Sequence, residues 1–97
     1  MTTYFVSRHE GAKKWAETLD FNNIVLVSHF NVNIVNSGDI VLGTLPVHLA
    51  AEVCAKGASY FHLELNLPPE ARGKELSSED MVSYGAKLNQ YKVTPHV

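Results

Sequence analysis

Cysteine is almost absent. Cys54 stands alone, which excludes an intramolecular disulfide and the multi-cysteine zinc frameworks. No apolar run approaches the roughly 18 residues that span a bilayer, so no membrane partner is expected. The opening residues, Met1-Thr2-Thr3-Tyr4-Phe5-Val6, lack the charged-then-apolar layout of a secretory leader, and a cytoplasmic protein is the expectation. Neither sign of charge prevails: 8 Lys and Arg face 10 Asp and Glu, for a net charge of -2. That balance excludes a broad basic face, and with it a protein that coats long nucleic acid. A small anion held at a local site remains open. Familiar fingerprints are missing too. There is no Gly-x-Gly-x-x-Gly and no Walker Gly-Lys-Ser/Thr ending, and no Gly-x-Ser-x-Gly elbow for a serine triad. The histidines show no His-x-x-x-His spacing, and Asp39 and Glu52 make no acidic cluster of the two-metal kind. No metal and no cofactor are expected.

What is present reads as one α/β domain over residues 1–97. Apolar residues make up 45 % and charged residues 19 %, a globular rather than disordered composition. A chain of this size buries only about 60–65 % of its unfolded surface, so its stability is marginal and association is favoured. Residues 2–6 form a β-branched and aromatic strand. Ala12, Trp15, Ala16 and Leu19 then recur at helical spacing. Ile24 to Val27 reads as a strand buried on both faces. The Asn-rich stretch 28–37 reads as a loop or one loose turn, and residues 39–43 as the third strand. A second helix follows Pro46, with Val47, Ala50, Ala51 and Cys54 as its inner stripe and Gly57 as a left-handed cap. The fourth strand, residues 59–65, alternates Phe61, Leu63 and Leu65 with Tyr60, His62 and Glu64. Ser77 to Asp80 has capping character and opens a last helix carrying Met81, Tyr84, Leu88 and Tyr91 on one side. The pattern predicts a mainly parallel four-stranded sheet with about three helices.

Two strand-to-helix turns stand out. In doubly wound sheets ligands bind beyond the carboxyl ends of the strands, where the winding reverses. If the first and third strands are neighbours, both turns line one crevice. Ser7-Arg8-His9-Glu10-Gly11 offers a hydroxyl, a guanidinium, an imidazole and free amides at a helix start, a set suited to phosphate. Ser7 with Glu10 also reads as a capping box, and Arg8 also reads as half of an ion pair. In Gly43-Thr44-Leu45-Pro46-Val47-His48, Gly43 permits close backbone approach and Thr44 supplies a hydroxyl. His48 sits in the first helical turn, where the neutral imidazole of a base is favoured. It reads equally as a surface histidine. His29 follows the second strand toward the same edge but reads first as a loop residue, His62 reads as a sheet-face or dimer contact, and Cys54 as core.

The run from Tyr4 to Ala12, with Trp15-Ala16 after it, resembles the opening of the Csx-sixteen family of small type III CRISPR-associated proteins. Gly43-Thr44-Leu45-Pro46-Val47-His48-Leu49-Ala50-Ala51-Glu52-Val53 is similar to that family's central motif, and Tyr60-Phe61-His62-Leu63 and Ala71-Arg72-Gly73 extend the likeness. The resemblance implies a Rossmann-like fold akin to CARF sensor domains and a homodimer. It also implies a ring nuclease that degrades cyclic oligoadenylate, cyclic tetra-adenylate above all, to switch off signalling. Such cleavage needs positioning and charge stabilisation and no metal: a ribose 2′-hydroxyl attacks the adjacent phosphorus. On this reading Arg8, His9 and His48 are the catalytic candidates, and Ser7, Gly11, Gly43, Thr44, Leu45 and Pro46 hold the ligand. Tyr4, Phe5 and Leu45 are the candidate adenine neighbours. A non-catalytic dimeric sensor or sponge is the alternative.

Overall fold

The β-branched and aromatic run at the start forms β1 (Thr3–Val6), and six further expected elements follow it. They are α1 (Glu10–Ala16), β2 (Ile24–Val27), β3 (Ile40–Gly43), α2 (Val47–Ala55), β4 (Ser59–Glu64) and α3 (Ser78–Ser83). An unexpected strand, β5 (Lys87–Tyr91), closes the chain. The computed structural model describes residues 1–96. Short 3₁₀ turns occupy Val32–Ile34, inside the Asn-rich stretch, and Pro69–Ala71.

The sheet is five-stranded and mixed, in the order β2-β1-β3-β4-β5. Its first four strands are parallel and β5 runs antiparallel to β4. Alternating side chains sort onto two faces. Phe5, Leu42 and Leu63 pack with Ala12, Trp15 and Ala16 of α1 and Met81 of α3. Val41 and Tyr60 pack with Ala50 and Val53 of α2. Helices therefore cover both faces, and the winding reverses between β1 and β3. At the amino end of the strands the buried Asp39 carboxylate accepts the N–H groups of Asn36 at 2.8 Å and Thr2 at 2.9 Å. Those bonds hold the carboxyl below its ordinary value.

Three expectations are corrected. The four-stranded sheet has a fifth strand, because the last helix stops at Ser83 rather than running to Tyr91. Ser77 and Asp80 cap its start reciprocally, as the sequence suggested. Its end is a Schellman motif: Ala86 N–H donates to Met81 O and Gly85 N–H to Val82 O, with Gly85 at a φ of 73°. Leu88 and Tyr91 fall on β5 instead. The stretch Ile24–Val27 is not buried on two faces but forms the sheet edge, leaving Val25 44 % and Leu26 39 % exposed. In α2 the inner stripe runs through Ala50, Ala51 and Val53, whereas Val47 faces solvent and Cys54 is half-buried. The Gly57 cap is present, with Ala58 N–H donating to Val53 O.

Candidate functional site

β1 and β3 are neighbours in register, with Val6 opposite Gly43. Both turns that follow these strands consequently open on the same edge of the sheet. Ser7 N–H still bonds Val27 O at 3.0 Å, so Arg8 is the first residue beyond the ladder. Ser7 does not cap α1. Its hydroxyl accepts the N–H of His9 at 3.1 Å, and His9 takes the N-cap position without a side-chain bond. The expected Ser7–Glu10 box is thus replaced by a tight local turn. That turn projects Arg8 and His9 into solvent. Among the described residues, no carboxylate lies within ion-pairing distance of Arg8. His9 Nδ1 stands 3.6 Å from Glu75 Oε1, both side chains well exposed.

The second turn is built from the inside. Gly43 ends β3 at a φ of 147°, and an added Cβ would meet Val6 O at 2.8 Å. Only glycine suits that approach and that dihedral. Beyond it, Leu45 N–H donates to the hydroxyl of the buried Tyr60 at 2.9 Å. The same hydroxyl lies 3.2 Å from Gly43 O and 2.6 Å from His62 Nδ1. Its single proton goes to one of these two acceptors, and the tautomer of His62 decides which. Burial pushes the Tyr60 phenol up. His62 also meets the Tyr91 ring edge-on at 6.1 Å. Tyr91 in turn donates to Glu64 at 2.7 Å, a bond that lowers the Glu64 carboxyl. The sheet-face reading of His62 therefore gains a definite partner.

Two recesses flank the edge and share Val6, Ser7, His9 and Thr44 as a common ridge. One, of about 430 Å³, is polar and lined further by Arg8, Ser28, His29, Leu45 and Pro46. The other, of about 390 Å³, lies over the α1 face, with walls from Leu63, Leu65, Leu67, Ala71, Leu76 and Met81. The structure thus brings together Ser7, Arg8, His9, Thr44, Leu45 and Pro46 of the expected set. It does not bring His48 there: that side chain sits exposed on the first turn of α2 and lines neither recess. Gly11 has a packing role, since an added Cβ would come within 1.7 Å of Leu76 O. Phe5 is fully buried core. The Tyr4 hydroxyl donates to Ile34 O at 3.3 Å. Leu45 alone of the three adenine candidates reaches a recess. His29, read as a loop residue, stands in the wall beside Arg8; its position just after β2 was the available signal.

A guanidinium with no carboxylate partner among the described residues, two imidazoles and three hydroxyls around one crevice suit an anion, with proton-transfer groups at hand. Among the described residues, no three His, Cys, Asp or Glu side chains converge in a metal-binding group, and no helix is long and apolar enough to cross a membrane. A protein-family model described as "Putative CRISPR-associated protein (Cas_VVA1548)" matches residues 4–94. Comparison with curated proteins and with solved structures gives no match.

Proposed function

The chain belongs to this CRISPR-associated family, and from that premise we propose that it is a ring nuclease that cleaves cyclic oligoadenylate, cyclic tetra-adenylate above all, and so switches off type III signalling. One observation carries the reading: Arg8 stands at the winding reversal with no carboxylate partner among the described residues, beside Ser7, His9, His29 and Thr44. An arginine so placed serves a phosphate better than it serves the fold. The strand order and the helices on both faces support a small Rossmann-like domain of the CARF kind.

In the proposed reaction a ribose 2′-oxygen attacks the neighbouring phosphorus and the bond from phosphorus to the 5′-oxygen breaks. The 2′-proton leaves to an imidazole, and the departing 5′-oxygen takes up a proton. A 2′,3′-cyclic phosphate and a free 5′-hydroxyl result. Arg8 stabilises the charge that builds on the non-bridging oxygens. His9 is better placed than His48 to move a proton, because it lines the crevice. A two-fold dimer in the cytoplasm completes the proposal, presenting each group twice to a ring with the same symmetry. The uncovered edge strand, with Val25 and Leu26 exposed, is available for such pairing.

The position of His48 outside both recesses favours one second reading, a dimeric sensor or sponge that holds the ring without cutting it. Incubating the pure protein with cyclic tetra-adenylate and EDTA separates the two. Linear products ending in cyclic phosphate support the nuclease. Intact ring recovered from a tight complex supports the sponge and sinks the nuclease.

A further inference from the structure

The aliphatic recess on the α1 face differs in kind from the polar one beside it. Its floor is core: Leu63, Met81, Ala12 and Ala71 are all buried. Its upper walls, Leu65, Leu67 and Leu76, are only half-buried although they adjoin that core. Interiors normally close over such surface. Here the covering strap, residues 66–77, is held at both ends and stands off that core. Asn66 N–H bonds Tyr84 O at 2.9 Å at one end, and Leu76 lies against Gly11 at the other. The exposed His9–Glu75 contact lies at the rim. The result is a preformed apolar concavity of about 390 Å³, inside the range of small-molecule sites. Its mouth holds Ser7, Thr44 and Lys74, and the ridge it shares with the polar recess puts it next to Arg8.

A ligand that straddles the ridge would present an apolar group to one side and an anion to the other. We propose that the aliphatic recess is a base pocket, which takes one purine base of the ligand whose neighbouring phosphate meets Arg8; the assignment rests on the nucleotide reading above. The base completes the burial of Leu65, Leu67 and Leu76, and the strap excludes water from its face. Tyr4 and Phe5, the aromatic residues nearest in sequence, take no part, because one is tied to Ile34 and the other is core.

Methyl NMR on the wild-type protein tests the pocket without any substitution. Adenosine at millimolar concentration should move the Leu63, Leu65 and Met81 methyl signals by ring-current shifts, and ribose 5-phosphate should leave them in place. Ala71→Leu, which narrows the recess, should raise the adenosine Kd and the KM for cyclic tetra-adenylate at least tenfold, roughly 1.4 kcal/mol, while kcat stays within a factor of about two. Unmoved methyl signals overturn the pocket, even if cyclic tetra-adenylate is cleaved. Shifted methyls with no cleavage support the pocket and remove the nuclease reading instead. If Ala71→Leu does not fold, the wild-type shifts decide alone.

Discussion

After β1 the chain turns through Ser7, Arg8 and His9 with one internal hydrogen bond and its charged groups in solvent. After β3 it turns through residues 43–46 against a buried phenol that contacts Gly43, Leu45 and His62 at once. One turn presents polar and charged groups and contributes little to the fold. The other is fixed from beneath. Substitutions in the two turns should therefore separate cleanly, the first altering ligand behaviour and the second altering stability.

The largest effect is expected at Gly43. Gly43→Ala adds strain at a φ open to glycine and a backbone contact with Val6, together about 2–5 kcal/mol. Urea denaturation should show the midpoint falling accordingly; an unchanged midpoint would mean that this turn is no more constrained than the first. Tyr60→Phe comes next, because it leaves the Leu45 N–H without its acceptor, at about 1–3 kcal/mol. The phenol also carries a pH signature. Its pKa is raised above the ordinary 10.0 by burial, so the folded state holds the proton more tightly than the unfolded chain does. Its contribution is whole below pH about 10 and declines as pH rises past that value. The same loss should be missing from Tyr60→Phe in paired alkaline titrations, which cancel the raised Tyr91 held by Glu64.

Arg8→Ala tests the opposite turn. Its stability should stay within about 0.5 kcal/mol of wild type, while affinity for cyclic tetra-adenylate drops tenfold or more and the salt dependence becomes shallower. A folding defect of Tyr60→Phe size would break the contrast between the turns. The smallest effect is expected from His48→Ala. Single-turnover cleavage should slow less than in His9→Ala, and the reverse order would move the proton-transfer group from the turn before α1 to α2.

The two turns were legible in the chain itself, whereas the contrast between them was not, because the Tyr60 contact that fixes the second is tertiary. The two turns announced themselves because glycine, arginine and histidine followed short β-branched runs directly. The neighbouring of β1 and β3 was a condition the doubly wound pattern suggested and the strand order meets. The left-handed cap at Gly57 recurs at Gly85, where Met81, Tyr84, Leu88 and Tyr91 happen to fit a helical spacing that hides it. Ala86 and Leu88 alternate with Lys87 and Asn89, which is the period of β5. Burial of β2 misled because an all-apolar run does not reveal that its strand lies at an edge. The aliphatic recess had no local signal at all. Its walls come from β4, the strap and α3, which only tertiary packing brings together.

The strand pairing also bears on how the chain reaches this state. β1 is an inner strand, pairing with β2 on one side and β3 on the other. Even the antiparallel pair, β4 with β5, is joined through the 3₁₀ turn and α3 rather than by a hairpin. Every ladder in the molecule must close a long loop before any of its hydrogen bonds form. The protein should fold slowly, on the side of the range governed by non-local topology, and the β1 amides should acquire full protection from hydrogen exchange only when both β2 and β3 have docked.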